Sequence, residues 1–413
     1  MPDAPILVIN TGSSSLKLGL YAEREGQEHL LFDGLADGIG RSSGTLTMRD
    51  ANGQLLRSEI LTSTSQHEAL REAVQWLTEL SPGMPCAIGH RVVHGGPRLT
   101  THQRITPEVL EQLRQCVHFA PLHIPMALQL IEEAQSAYPQ IPEFACFDTA
   151  FHRTMPEAAS RFALPRALYE QGIRRYGFHG LSYESIVYKL GEEQLGEEQL
   201  GNGLPARTVI AHLGSGASLA AVRNGRSVDT SMGLTPTGGI PMATRTGDLD
   251  PGVILYLLRQ EHAAGDSTVD SVVDLMEALL NHDSGLKALS GGKADVRDLE
   301  AAADAGDSEA QLALEVFCGR IAQTVAAYTA VLGGLDLLVF AGGVGEHSAR
   351  VRGAVCGALG FLGVTLDQAS NQSHAATIST AGSKVRVRIV ASEEDRQIAR
   401  HCRALLGSAA SRC

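Results

Sequence analysis

The sequence predicts an α/β protein built from two related halves, on three observations. Short apolar runs alternate with helix-period segments along the chain. Several of those runs end in turns of glycine, serine and other small residues, which is where open α/β sheets hold ligands. Finally, the strand and Gly/Ser turn at Ile6 to Ser15 is echoed by Val209-Ile-Ala-His-Leu-Gly-Ser-Gly-Ala-Ser218. Two such units, one per half, imply a duplicated domain with a ligand between the halves.

In chain order, the first element is Ile6-Leu7-Val8-Ile9, which runs into Asn10-Thr-Gly-Ser-Ser-Ser-Leu-Lys17. Hydroxyls, a glycine that admits close backbone approach and a terminal lysine suit a phosphorylated ligand. The same turn also fits a hairpin whose hydroxyls cap local amides. Leu16 to Tyr21 is the next apolar segment, and Gln66 to Leu80 carries Leu70, Val74 and Leu77 on one helical face. Thr106-Pro107-Glu108 and Asp250-Pro251-Gly252 read as helix starts, a capping residue before a first-turn proline. Phe144 to Asp148, Thr208 to Leu213 and Leu335 to Phe340 read as strands that end in polar or glycine-rich turns. The acidic repeat Gly191-Glu-Glu-Gln-Leu-Gly-Glu-Glu-Gln-Leu200 has no room for a core and reads as an exposed loop or helix extension. Leu219 to Val222 closes on Asn224-Gly225, a hairpin signal. A third glycine-rich turn, Ala341-Gly-Gly-Val-Gly-Glu346, would let backbone lie against a nucleotide. The three turns together point to a nucleotide cleft.

Composition bounds the rest. A chain of 413 residues, 44% hydrophobic and 19% charged, can fill two ordinary cores. Its net charge of −12 argues against a nucleic-acid or anionic-membrane surface, so any anion must be held by local groups. The N-terminus lacks a basic region followed by a long apolar core, and the most apolar later stretch, Ala330 to Val344, is interrupted by Asp336 and by Gly333, Gly334, Gly342 and Gly343. A cytoplasmic protein is expected. The seven cysteines include no Cys-x-x-Cys pair, and reduced thiols are expected.

Ten motifs, in one order, resemble the acetate kinase family, of the acetate and sugar kinase, heat-shock chaperone and actin superfamily. They are Asn10-Thr-Gly-Ser-Ser-Ser-Leu-Lys17, Gly89-His-Arg-Val-Val-His-Gly-Gly96, Ala120-Pro-Leu-His123, Phe147-Asp-Thr-Ala-Phe-His152, Arg175-Tyr-Gly-Phe-His-Gly180, His212-Leu-Gly-Ser-Gly216, Asp229-Thr-Ser-Met-Gly-Leu-Thr-Pro236, Thr244-Arg-Thr-Gly-Asp248, Ala294-Asp-Val-Arg297 and Gly342-Gly-Val-Gly-Glu346. The resemblance implies two actin-like (ribonuclease H-like) domains with an interdomain cleft, the first spanning 1–149 plus 392–413 and the second 150–391. It implies reversible phosphoryl transfer between ATP and acetate, giving acetyl phosphate and ADP, with Mg2+ or Mn2+, in a homodimer.

Making an acyl phosphate needs cations and in-line positioning more than a base. Arg91 and Arg245 lie in glycine-bracketed segments, and a guanidinium offers a planar fork that matches a carboxylate or the equatorial oxygens of a phosphoryl group. Both are expected at the transition state. His179 would donate to the transferred group without a fixed charge, while His123 and His212 would orient substrate or phosphate. His90 and His94 have i, i+4 spacing, but no Glu follows His90 and the run is rich in Val and Gly, which argues against zinc. Asp148 ends a strand, so its carboxylate should project at the sheet's ligand edge. The resemblance gives it an essential role, read here as orientation through magnesium and its waters, because acetate has no proton to lose at pH 7.

The resemblance further implies Asn10 and Glu393 as magnesium ligands, with Glu394 adjacent to the latter. It implies Val93, Leu122, Phe178 and Pro236 around the acyl methyl. For the nucleotide it implies Lys17, the turn His212, Leu213, Gly214, Ser215 and Gly216, then Asp295, Val296 and Arg297, and Gly343, Val344, Gly345, Glu346 and His347. Four positions depart from the family's usual pattern: Ile124 and Ser215 in place of Asn, Gly238 where Glu is common, and His347 in place of Asn. Ser215 would lose a phosphate contact or pass it to water. The alternatives are a propionate or butyrate kinase, a pyrophosphate-dependent acetate kinase, and a non-catalytic actin-like ATP-binding module.

Overall fold

In the computed structural model, which describes residues 4–11, 15–39, 44–61, 65–80, 83–121, 123–195, 205–263 and 269–410, the N-terminal apolar run becomes β1 (Ile6–Thr11). Its side chains alternate between two packed layers. Leu7 and Ile9 join Leu16, Leu18, Trp76 and Leu130 on one face, while Ile6 and Val8 join Phe144, Cys146, Leu181, Ile398 and Cys402 on the other. A strand buried on both faces needs a continuous apolar run, which is why Ile6-Leu7-Val8-Ile9 contains no polar residue.

The chain divides into two units. The first comprises Met1–Phe151, Gly180–Ser185 and Glu393–Cys413, and the second His152–His179 and Ile186–Ser392. The division expected from sequence placed 150–151 and 180–185 in the second unit and 392 in the first; 180–185 is the largest difference. Two local contacts tie it to the first: Gly180 N–H donates to Asp148 O at 2.9 Å, and Leu181 packs with Ile6 and Phe144.

The first unit continues with β2 (Ser15–Arg24), β3 (Gln27–Asp37), β4 (Thr45–Asp50), β5 (Leu55–Ile60), β6 (Ala87–Val92), β7 (Gln103–Arg104) and β8 (Glu143–Phe147). They form one sheet in the order β5-β4-β3-β2-β1-β6-β8-β7, with β1, β6 and β8 parallel. The second unit holds β9 (Arg207–Leu213), β10 (Ala217–Arg223), β11 (Arg226–Thr230), β12 (Leu337–Ala341) and β13 (Arg386–Ile389), in the order β11-β10-β9-β12-β13. The run β3-β2-β1-β6-β8 and this second sheet have the same plan, an antiparallel meander of three strands followed by two parallel additions. The sequence echo between Ile6 and Val209 is therefore an echo between β1 and β9, the central strands of the two sheets.

The expected helices form at Gln66–Leu80, at Pro107–Gln115 with Thr106 Oγ1 capping Val109 N–H at 3.3 Å, and at Pro251–Ala263. Asn224 and Gly225 close the β10–β11 hairpin with φ of 51° and 75°, the left-handed pair that a tight hairpin turn requires. The strand expected at Leu335 begins at Leu337 instead, and the glycine-rich turn after it is a short helix, Gly342–His347. The acidic repeat starts as the end of the helix Gly180–Leu195, and its remainder lies outside the described residues. Six cysteines are free thiols, and Cys413 also lies outside the described residues. Among the described residues no helix is long and apolar enough to cross a membrane.

Candidate active site

In the first unit, three strand ends meet at Arg91. Asn10 comes from the end of β1, Arg91 from the end of β6, and Asp148 directly follows β8; these strands are neighbours, so their ends share one edge. Arg91 Nη2 donates to Asp148 Oδ2 at 2.7 Å, and Nε lies 3.1 and 3.2 Å from the two carboxylate oxygens. Nη1 donates to Asn10 Oδ1 at 3.2 Å and lies 3.8 Å from Glu394 Oε2. Asn10 Nδ2 donates in turn to Asp395 Oδ1 at 2.5 Å. Asp148 is 1% exposed. Its main chain is fixed as well, since its N–H donates to Val92 O at 3.1 Å and its carbonyl accepts from Gly180. A side chain at 180 would bring Cβ to 2.1 Å from Asp148 O, so only glycine fits.

Electrostatics at this edge are dominated by buried acid. Burial pushes the Asp148 carboxyl up; Arg91 opposes that, while Glu394 and Glu184 add to it. Burial likewise raises Asp395, against Asn10, Lys17 and Arg91. Burial works against the Arg91 charge, yet Asp148, Glu394 and Asp395 more than offset it and hold the guanidinium above its ordinary value. Three carboxylates facing Arg91 and Lys17 form an acid excess, and their oxygens with Asn10 Oδ1 are the hard donors that a small divalent cation prefers. The residues fit magnesium. Glu393 pairs with Arg396 at 3.0 Å and its N–H donates to Ser185 Oγ, whereas Glu394 is the neighbour within reach of Arg91. Lys17 is exposed on β2, opposite Asn10 in register. Val93 is half-buried just beyond β6, and Leu122 lies outside the described residues.

In the second unit, His179, His212 and Arg245 gather around the turn 212–216. His179 Nδ1 lies 2.8 Å from Ser218 Oγ, and its ring stacks on His212 with centroids 4.4 Å apart. His212 and Ser218 are register partners on β9 and β10. A Cβ at Gly216 would sit 3.3 Å from His179 Nε2 and 3.9 Å from Arg245 Nη1, so the missing side chain leaves space that both groups face. His179 has φ of +58°, a left-handed conformation that a non-glycine residue adopts at a cost of about 1–2 kcal/mol. Arg245 Nη1 donates to Pro236 O at 3.1 Å. Phe178 is buried, its carbonyl 3.0 Å from His152 Nε2. Asp295 caps the helix Val296–Asp304, accepting from Arg297 N–H at 2.8 Å, and pairs with the Arg297 guanidinium at 2.6 Å; Val296 is a buried core residue.

Gly343 to His347 form the short helix after β12, entered through Gly342 with φ of +74°. Glu346 Oε1 accepts from Gly342 and Ser392 N–H at 3.0 and 3.2 Å. Beneath them Arg352, fully buried, donates to Gly345 O and Glu346 O at 2.9 Å each, to Asn371 Oδ1 and O at 2.8 Å, and to His374 Nδ1 at 2.9 Å. Sequence reading missed Arg352 and Asp395, gave Glu394 only as the neighbour of Glu393, and assigned Ser218 no role although it ends the β1 echo. Of the departures, Ile124 is a core side chain, 1% exposed, at the start of the helix Ile124–Ala137, and a side chain at 238 would meet the Asp248 carboxylate 3.2 Å from its Cβ.

The model of the acetokinase family matches residues 5–400. A curated acetate kinase from Methylocella silvestris is 42% identical over 417 residues, covering 98% of this chain and 99% of that protein. One from Deinococcus radiodurans is 44% identical over 409 residues, covering 97% and 98%. The crystal structure of a propionate kinase from Francisella tularensis superposes with a TM-score of 0.86 at 34% identity, covering 97% of this chain and all of that one.

Proposed function

The chain belongs to the acetokinase family, and we propose that it is an acetate kinase, moving a phosphoryl group reversibly between ATP and acetate. The observation that carries this reading is Arg91 held bidentate by Asp148 and braced by Asn10, in a chain aligned with acetate kinases over nearly its whole length.

Acetate is ionised at pH 7, so its carboxylate oxygen attacks phosphorus directly and no group need take a proton. The protein must hold anions together and stabilise a spreading negative charge. Arg91 is suited to that work. Asp148 and Asn10 bond one N–H on each of its three nitrogens, and the remaining donors of the fork are offered to carboxylate or phosphoryl oxygens. His179, whose Nδ1 lies 2.8 Å from the Ser218 hydroxyl, would donate to the transferred group without adding a fixed charge. Arg245, steadied by Pro236 O, supplies a second fixed cation for the same charge. Asn10 and Glu393 would hold magnesium, Glu393 exchanging its contact with Arg396 for the ion, beside the acid excess of Asp148, Glu394 and Asp395; Asp148 would be oriented toward the ion's waters, and the ion would neutralise the nucleotide phosphates.

Lys17 would face those phosphates, and the turn 212–216, Asp295 to Arg297 and the helix Gly343–His347 would take the nucleotide. Val93, Leu122, Phe178 and Pro236 would take the methyl group. A propionate kinase is the second reading, since a relative of that name superposes closely, and one methylene changes binding by only about 1–3 kcal/mol. A homodimer in the cytoplasm completes the proposal.

Hydroxylamine trapping of acyl phosphate, with acetate, propionate and butyrate against ATP, GTP and pyrophosphate, tests it. The highest kcat/KM is expected with acetate and ATP. A preference for propionate selects the second reading, and product from pyrophosphate alone refutes the nucleotide assignment.

A further inference from the structure

His102, Glu184 and His401, far apart in sequence, converge within the first unit. His102 Nε2 lies 3.1 Å and His401 Nε2 2.8 Å from Glu184 Oε2, and the two rings are 4.0 Å apart. One ligand atom from each falls within 4.8 Å of the others, a spacing that a zinc ion could also use. The backbone decides between the two readings. β7 pairs with β8 only at Gln103 and Arg104, so the ladder runs out before Phe147. Phe147 N–H donates instead to His102 Nδ1 at 3.0 Å. A neutral imidazole whose Nδ1 accepts carries its proton on Nε2, where it donates to Glu184 and has no lone pair for a metal. Ligating histidines show the reverse, with the second nitrogen donating.

We propose that Glu184 is a positioning residue for phosphoryl transfer, acting through His102 on the strand end that presents Asp148. Phe147 immediately precedes Asp148, so the imidazole replaces the missing strand and fixes the Cys146–Phe147 peptide, one residue before the carboxylate. Three further contacts connect the same elements. Gly180, at the start of the helix that carries Glu184, donates to Asp148 O; Ser185 Oγ on that helix accepts from Glu393 N–H; and His401 belongs to the helix Glu394–Ala410, whose first turn supplies Glu394 and Asp395. Through His102 and His401, Glu184 thus links the end of β8 to the helix Gly180–Leu195 and to the helix Glu394–Ala410. His102 and Glu184 are largely buried, where hydrogen bonds to a carboxylate are strong and geometrically exacting. The inference rests on the reading of Asp148 as a group at the reacting phosphoryl.

The test is steady-state acyl phosphate formation by wild type, Glu184→Gln, His102→Ala and His102→Asn, with folding checked by circular dichroism and Co2+ titrated as a metal probe. Glu184→Gln and His102→Ala are expected to lower kcat between about tenfold and a hundredfold, with KM for acetate and ATP changed less than about twofold. His102→Asn, whose amide oxygen can still accept from Phe147 N–H, is expected to recover most of the His102→Ala loss. Adding Glu184→Gln to His102→Ala should cost little more, because both act along one path. An active wild type with an equally active, folded Glu184→Gln overturns the inference, as does His102→Asn no better than His102→Ala. A Co2+ d–d spectrum that Glu184→Gln abolishes overturns it in favour of a metal site. A wild type that makes no acyl phosphate with any donor refutes the functional reading instead.

Discussion

Burying Arg91 beside Asp148 is costly unless the donors and lone pairs of both are met, and removing one partner from such a pair costs about 3–5 kcal/mol. Under the proposed function the pair is kept because its groups serve a ligand; contacts from Asn10 and Glu394 add to the hold on the fork. Arg352 shows the same economy without a carboxylate. Burial pulls its guanidinium down to about 10, yet it supplies five hydrogen bonds, two of them to carbonyls of the glycine-rich helix. Arg352→Met should destabilise the protein by about 1–3 kcal/mol for each carbonyl left unpaired. It should also raise KM for ATP more than KM for acetate, as urea unfolding and steady-state kinetics would read. Glu184 gives a pH signature. Burial would raise its carboxyl, but hydrogen bonds from His102 and His401 outweigh that and bring it to about 2. Its unfolded value is about 4.3, so its stabilisation is complete above that pH and is lost as pH falls toward 2. Wild type should lose unfolding free energy over that window more steeply than Glu184→Gln, measured by urea midpoints.

At the scale of elements, contact distance explains the glycines. At Gly89 on β6, a Cβ would fall 2.5 Å from Ile398 Cγ2 and 2.6 Å from Cys402 Sγ, so the helix Glu394–Ala410 rests directly on the strand that presents Arg91. Gly89→Ala should destabilise by about 1–3 kcal/mol through overpacking, visible as a lower thermal midpoint, and should reduce kcat as Arg91 shifts. These elements were unevenly legible. Strands with continuous apolar runs, such as Ile6 to Ile9, and helices with a Thr-Pro start, such as Pro107–Gln115, could be read because local chemistry dictates them. The helix Gly342–His347 could not, because glycine has poor helix propensity and here the fold overrides it. Nor could the phase of the helix after Ser392, which sends Glu394 toward Arg91 and Glu393 toward Arg396.

For the whole molecule, the two sheets share one strand order around β1 and β9, and the candidate groups sit at strand ends and at the turns that follow them. Asp148 was visible at the end of an apolar strand, Arg91 in a glycine-bracketed segment, and Asn10 through the family motif, because each lies in a contiguous stretch of sequence. His102, Glu184 and His401, and Arg352 with Asn371 and His374, were not, since each set is assembled from segments that only the fold brings together. The central claim is that this edge of the first sheet handles the transferring phosphoryl group. It is tested most directly by acetyl phosphate formation from acetate and MgATP, comparing wild type with Arg91→Ala and, because loss of Arg91 strands a buried carboxylate, with Asp148→Asn. The account predicts robust turnover by wild type and a fall in kcat of about 10²–10³-fold in each folded variant. Turnover undiminished in either folded variant, or none in wild type, would contradict it.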